Sequence, residues 1–359
     1  MVALRWVSKF PSVADTGKRC RLLGAALILS AISVGNSAMA QSPTVDTIKK
    51  RDHLLCSGVT ANYLGFDVVD AKGEETGLDV DICRSIATAV LGDRTKIKMV
   101  PMNYLQRFTA IQAGNIDVIT KNTTWTMSRN TEVGLMFSSP YMFTGDVFMV
   151  RKDSGIKKGV DLAGGTICMS AGTTLEQLVS DFFTGHKLTY KPLVFENTDE
   201  RDKALFAGRC DASASNAPGL AGVRSRSSNP DDWVILPDFF GKEIMSAGVR
   251  QDDVKFYNIV NWTIFALLEA EEIGVTQANV DALRNDQSTP SVRRLLGLIP
   301  GIGKHLGLRE TWAYDVIKQN GNYGEIYDRN FGAKSSLKLD RGYSRLWKDG
   351  GALYSPSVD

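Results

Sequence analysis

The chain has 359 residues, with 42 Lys plus Arg, 40 Asp plus Glu and a formal net charge of +2. Apolar residues make up 43% and charged residues 23%, which excludes a collagen, a disordered tail, a dense disulfide scaffold and a multispan membrane protein. A charge so near neutral argues against a nucleic-acid binder, and the length fits two domains of about 150 residues or one larger one.

In chain order, the first feature is at the N-terminus. Lys18, Arg19 and Arg21 precede an apolar run from Leu22 to Val34, and Ser37-Ala38-Met39-Ala40 follows. A basic region, a short apolar run and small residues at Ala38 and Ala40 predict a secretory signal over residues 1–40, cut after Ala40. The run has 13 residues, short for a spanning helix, which needs about 20. A membrane anchor or a mitochondrial presequence is the alternative, although Asp15 fits a presequence poorly. Cys20 lies before the apolar run and is not placed as a lipoprotein cysteine. Residues 1–40 hold five basic residues and one acid, so 37 basic and 39 acidic groups remain, a net of −2. The expected product is a periplasmic protein.

Four cysteines then remain: Cys56 on a predicted strand, Cys83 on a predicted helix, and Cys168 and Cys210 farther on. In an oxidising compartment they allow three pairings. Pairing Cys56 with Cys83 and Cys168 with Cys210 keeps each bridge local; buried free thiols are the alternative.

Leu78, Ile82, Ile86, Ala89 and Val90 recur at helical spacing, predicting a helix over 78–91 that ends at Gly92-Asp93. A strand is expected from Ile97 to Val100, a helix through Leu105, Phe108 and Ile111 up to Gly114, and a strand over Ile116–Ile119. The order restarts with a strand at Thr166–Ser170, a helix bearing Leu175, Leu178, Val179 and Phe182, a strand at Leu193–Phe195, a helix near Asp202–Phe206 and a strand from Arg209. Such alternation indicates α/β architecture. One signature occurs twice. Ala113-Gly114-Asn115-Ile116-Asp117 is followed five residues later by Asn122, and Ala207-Gly208-Arg209-Cys210-Asp211 five residues later by Asn216. Coincidence on a common turn is the bland reading. The sharper one is two lobes of one plan, with Asn122 and Asn216 on loops that face a cleft.

Thr173 with Glu176, or Thr174 with Gln177, reads as a capping box at a helix start, a place that suits anions. The stretch Lys121-Asn122-Thr123-Thr124-Trp125-Thr126-Met127-Ser128-Arg129 is rich in hydroxyls and ends in an Arg that can grip a carboxylate. A solvated loop with a surface ion pair would have the same composition. No G-x-S-x-G, Walker or H-E-x-x-H motif occurs, no CxxC spacing exists, and His53, His186 and His305 are scattered. No catalytic residue, metal site or cofactor is therefore expected. Asp79 and Asp81 read as helix-start acids.

Together these residues resemble the periplasmic binding proteins for polar amino acids that feed ABC importers, and most closely the general L-amino-acid subgroup. The resemblance rests on Gly77-Leu78-Asp79-Val80-Asp81-Ile82-Cys83-Arg84, on residues 107–118 from Arg107 to Val118, and on Asn122-Thr123-Thr124-Trp125-Thr126. It continues through Ala171-Gly172-Thr173-Thr174, Ala207–Asp211 and Gly321-Asn322-Tyr323-Gly324-Glu325-Ile326. It implies the type 2 periplasmic-binding fold: two α/β lobes, each a mixed sheet flanked by helices, joined by a two-strand hinge. The expected division is lobe 1 at 41–149, lobe 2 at 150–246 and the rest of lobe 1 with a C-terminal extension at 247–359. Crossings are expected near Phe148–Arg151 and Met245–Arg250.

By the same resemblance Arg129 holds a ligand α-carboxylate, assisted by Thr124, Thr173 and Thr174, and the main chain at Asn122 takes the α-ammonium. Tyr63, Tyr104 and Trp125 supply aromatic walls, and Thr60 lies where side-chain selectivity is set. The family usually has an Asp where this chain has Asn216, which predicts either α-amino ligands bound more weakly by about 1–3 kcal/mol or a ligand that is not a standard α-amino acid. No cleft acid is evident, so broad polar selectivity is expected rather than Lys or Arg. The expected function is ligand capture for an ABC permease by a monomer, with no nucleic-acid partner. The alternatives are a cyclohexadienyl dehydratase on the same fold, disfavoured by the lack of a cleft carboxylate, and a sensor that docks on a receptor.

Overall fold

The computed structural model describes residues 42–70, 72–285 and 289–358, so the export signal read over 1–40, with Cys20, lies outside the described residues. Helix α1 (Pro43–Arg51) is capped by Ser42, which accepts from Val45 N at 3.1 Å. Strand β1 (Leu54–Gly58) carries Cys56, and the hairpin β2 (Val68–Val69) and β3 (Glu75–Thr76) leads into α2 (Leu78–Leu91). The predicted stripe of α2 is buried, and Gly92 ends the helix in the left-handed conformation. Strand β4 (Ile97–Pro101) pairs parallel with β1, and α3 (Gln106–Gln112) follows. The strand expected at Ile116–Ile119 is reduced to two bridges. Val118 pairs with Cys56 on one side and Ile119 with Gly248 on the other, so no continuous ladder forms.

Helix α4 (Met127–Thr131) and strand β5 (Leu135–Phe137) precede β6 (Met142–Arg151), the spine of a six-stranded mixed sheet. Its other strands are β7 (Thr166–Ser170), β8 (Lys191–Phe195), β9 (Ala212–Asn216), β10 (Trp233–Ile235) and β11 (Gly241–Met245). The order is β10-β6-β9-β7-β8, with β11 also on β6; β7 runs parallel to β8 and β9, and β6 is antiparallel to its neighbours. Helices α5 (Leu175–Gly185), α6 (Thr198–Phe206) and α7 (Ala217–Ser225) cover it. Both faces of β6 are buried: Phe148 and Val150 pack with Val179 and Phe183 of α5, and Val147 and Met149 with Leu205 of α6 and Leu220 of α7.

Strand β12 (Gly248–Arg250) pairs with β5. Ser138 N donates to Ala247 O and Tyr141 N to Met245 O, so two segments run side by side between the β5–β12 pair and the larger sheet. The crossing expected at Phe148–Arg151 is instead interior to β6, because those residues complete ladders with β9 and β10. Helices α8 (Val254–Glu272), α9 (Val280–Asn285), α10 (Pro290–Leu295), α11 (Ile302–Leu306), α12 (Trp312–Asn320) and α13 (Tyr323–Asn330) complete the described chain. α8 packs with α2, α12 and α13 around Ile86, Ile264, Leu267, Val316 and Tyr323. Its N-cap Asp253 also accepts from Ser42 Oγ at 2.6 Å, which ties α1 to the start of α8. No helix among the described residues is long and apolar enough to cross a membrane.

The doubled signature is a doubled turn. Gly114 and Gly208 both have φ 72°, and the two turns repeat the same backbone bonds, Asn115 N to Ala110 O at 2.8 Å and Arg209 N to Ala204 O at 2.9 Å. Each Asp then holds the start of the neighbouring strand: Asp117 Oδ2 accepts from Leu55 N at 2.8 Å, and Asp211 Oδ2 accepts from Thr166 N at 2.7 Å. The bridges are local too, Cys56–Cys83 joining β1 to α2 and Cys168–Cys210 joining β7 to the turn before β9. A Cβ at Gly208 would meet nothing within 4 Å, so Gly208→Ala carries only the left-handed backbone penalty. Chemical denaturation should show a loss of about 1–2 kcal/mol with an unchanged denaturant slope.

Candidate functional site

The cleft begins with the loop after Ile119. Asn122 has a positive φ of 36°, and its N–H donates to Asp79 Oδ2 at 2.9 Å. Tyr141 OH donates to the other Asp79 oxygen at 3.1 Å, and Ser57 Oγ accepts from Thr120 N at 3.0 Å and Lys121 N at 3.1 Å. Burial raises the Asp79 carboxyl well above the usual carboxylate range. Asp79, read from the sequence as a helix-start acid, therefore fixes the loop that bears Asn122 and Thr124.

Two guanidinium groups stand at this loop. Arg107 of α3 is fully buried; its Nη1 donates to Lys121 O at 2.8 Å and Thr123 Oγ1 at 3.1 Å, and Nη2 reaches Gly172 O at 3.4 Å. Burial, with nearby Arg129, pushes Arg107 down to about 9. Arg129 lies on α4, which Thr126 caps; its Nη1 donates to Thr124 O at 2.8 Å, and its charge sits 5.2 Å over the Phe108 ring. Arg107 is absent from the ligand set that the resemblance implies. Its signal was a charged residue between Tyr104 and Phe108, both of which it stacks against.

The expectation of a cleft without a carboxylate is overturned. Glu243 of β11 is buried, and it accepts from Thr124 Oγ1 at 2.7 Å and from Thr174 Oγ1 at 2.9 Å. The carboxyl of Asp146, on β6, lies beside that of Glu243 in the same cleft, and Asp146 Oδ2 has no hydrogen-bond partner. Burial, and then the Glu243 charge, push Asp146 up to about 9, so its carboxyl keeps its proton at neutral pH. Burial also raises Glu243, against the two hydroxyl bonds and the charges of Arg129 and Arg107. Thr124 and Thr174, expected to face a ligand carboxylate, donate to this internal one.

The other expected residues divide. Tyr104, Asn122, Thr124, Arg129, Thr173, Thr174 and Asn216 line one cleft with Asp146 and Glu243. Thr60 and Tyr63 line a neighbouring cavity with Lys121, and Tyr104 borders both. Burial pushes Lys121 down to about 7, and its Nζ donates to Gly58 O at 3.0 Å. Trp125 is 44% exposed, stacks on Phe137 and reaches neither cavity. No capping box forms at α5. Thr173 donates to Ser170 O at 2.7 Å, Glu176 accepts from Gly172 N at 3.0 Å, and the Thr174 hydroxyl is spent on Glu243. Asn216 caps α7, accepting from Gly219 N at 2.9 Å, and its Nδ2 donates to Tyr63 OH at 3.3 Å. Among the described residues no group of three or more His, Cys, Asp or Glu is placed to hold a metal.

Comparison with known proteins gives concordant findings. Residues 55–278 match the model of the bacterial extracellular solute-binding proteins, family 3. The chain is 44% identical over 340 residues to the general L-amino acid-binding periplasmic protein AapJ of Rhizobium johnstonii, covering 94% of this chain and 99% of that one. It is 40% identical over 317 residues to the glutamate/glutamine/aspartate/asparagine-binding protein BztA of Rhodobacter capsulatus, covering 88% and 94%. A solved structure, a periplasmic binding protein from Brucella ovis with glutathione bound, superposes with a TM-score of 0.86 at 43% identity, covering 89% of this chain and 100% of that one. These neighbours have the type 2 periplasmic-binding fold, as the sequence implied.

The raised Asp146 carboxyl fixes the sign of one pH dependence. The folded chain holds a proton there that the unfolded chain releases above about pH 4, so this stabilisation is full below that pH and is lost as pH rises through about 9. Asp146→Asn copies the protonated form. Its melting temperature should fall less steeply between pH 6 and about 9 than that of the parent, in thermal melts of ligand-free protein.

Proposed function

Because the chain belongs to the bacterial extracellular solute-binding proteins of family 3, we propose that it captures a small L-amino acid in the Arg129 cleft and delivers it to the permease of an ABC importer. It is a solute-binding protein and not an enzyme. That conclusion rests on the relatives named as amino-acid-binding proteins, since the cleft does contain carboxylates. The observation that supports a zwitterionic ligand is the presence of Arg107 and Arg129 in one cleft with the buried Asp146 and Glu243. Such a cleft offers donors to a carboxylate and acceptors to an ammonium group without leaving a bare charge in a dry site.

In this reading Arg129 grips the α-carboxylate, while Asn122, Thr173 and Tyr104 complete the wall. The aromatic contribution of Tyr63 and the side-chain role of Thr60 belong to the adjoining cavity. Two lobes close on the ligand about the paired segments 138–141 and 245–248, a hinge motion that excludes water. Residues 1–40 act as a signal cleaved after Ala40, and the mature protein works in the periplasm as a monomer with no nucleic-acid partner. Thermal-shift screening of the twenty L-amino acids should show stabilisation by a polar subset. Arg129→Ala should abolish that shift and reduce affinity in calorimetry by roughly 100-fold or more, the loss expected for a buried charge-assisted pair. Retained micromolar binding would remove Arg129 from the carboxylate site.

A further inference from the structure

We infer that Asp146, paired with Glu243, is the acceptor for the ligand's ammonium group, so that the cationic end of the site lies on β6 and β11 rather than at Asn216. This rests on the amino-acid-binding reading above and adds to it the residues that hold the amine. Asp146 and Glu243 are the carboxyl side chains that line the cleft, and both are more than nine-tenths buried. Glu243 already accepts one hydroxyl on each oxygen, from Thr124 and Thr174. Asp146 Oδ2 accepts nothing, and an unpaired buried acceptor costs free energy unless a donor fills it. An ammonium group supplies that donor and brings a positive charge beside two buried acids.

Asn216 is poorly placed for the task. Its carbonyl accepts from Gly219 N at 2.9 Å as the cap of α7, and its NH2 donates to Tyr63 OH. The ladder sets Asp146 directly opposite Asn216. Side chains so paired share one face with Cβ atoms about 5 Å apart, within the reach of one ligand amine. The opposite neighbour of Asp146 is Gly241, where a Cβ would lie 2.6 Å from Oδ2, so the bare glycine keeps room beside that oxygen.

The groups facing the pair are fixed by the surrounding elements: Arg107 from α3, Thr124 from the loop after Ile119, Arg129 from α4, Thr174 at the start of α5 and Asn216 from β9. None of these is an acid, so an arriving ammonium displaces the proton held by Asp146. Binding near neutral pH should therefore release about one proton per ligand.

The test is calorimetry with each of the twenty L-amino acids. The tightest is then compared with its desamino analogue, the same molecule with hydrogen in place of the α-amino group. Asp146→Asn should weaken the amino acid roughly 10- to 150-fold and the desamino analogue less than about 3-fold. Runs in buffers of different ionisation heat should show proton release in the parent and none in Asp146→Asn. Asn216→Asp alone should not tighten binding, whereas Asp146→Asn with Asn216→Asp should recover part of the loss. If far-UV circular dichroism shows Asp146→Asn unfolded, Glu243→Gln carries the same comparison. Amino-acid affinity within about 2-fold of the parent in a folded Asp146→Asn, or in Glu243→Gln where Asp146→Asn is unfolded, overturns the inference. So does a parent that binds the desamino analogue as tightly as the amino acid. A parent that binds none of the twenty overturns the amino-acid reading itself, and this inference falls with it.

Discussion

The rest of the site depends on one constraint: two guanidinium groups and two carboxyls are buried in the same cleft. Removing an unpaired charge from water costs several kcal/mol, so every neighbour must help to neutralise or hydrogen-bond these four groups. The arrangement follows from that demand. Arg107 spends its donors on backbone carbonyls and the Thr123 hydroxyl, and Arg129 on Thr124 O. Glu243 draws in the hydroxyls of Thr124 and Thr174, and Asp146 keeps a proton. The threonines that composition alone marks as ligand donors are in this state the internal solvent of Glu243.

That cluster also links separated parts of the fold. Glu243 on β11 is held by Thr124 from the Asn122 loop and by Thr174 from the start of α5, while Asn216 on β9 touches Tyr63 in the segment after β1. Thr124 also bridges to Met245, where the chain leaves β11. The hydrogen bonds that tie the cleft together thus lie next to the segments through which the chain passes between its sheets. A ligand that re-pairs Glu243 or Asp146 acts where it can bias the relation of those segments, which is what a binding protein that closes on its ligand requires.

Much of this was legible because it is local. The period of α2, the turns at Gly114 and Gly208 and the pairing of neighbouring cysteines all involve residues close in sequence, and the structure repeats them. Arg129 was legible as a cation after a run of hydroxyls. The acids were not. Gly145-Asp146 looks like a turn and Lys242-Glu243 like a solvated edge, yet the strand period puts Asp146 on the face of Phe148 and Val150, and Glu243 on that of Met245. That parity was the available signal. Glu243 is also held by partners 119 and 69 residues away, which no local pattern encodes. The capping box at Thr173–Thr174 does not form because the backbone of Thr174 is already helical rather than extended, and its hydroxyl turns to donate to the distant Glu243.

Asn216 then takes on a different meaning. Read alone, an amide where a carboxylate is expected is a loss of charge and of affinity. Read in its ladder, it sits opposite Asp146, whose carboxyl burial and the neighbouring Glu243 already keep protonated. A third acid there would have two buried carboxyls as neighbours, so it would either be neutral or raise its neighbours further. Asparagine keeps the acceptor that caps α7 and a donor for Tyr63 without adding charge. The departure is therefore the residue that the electrostatics of a cleft with two acids allows.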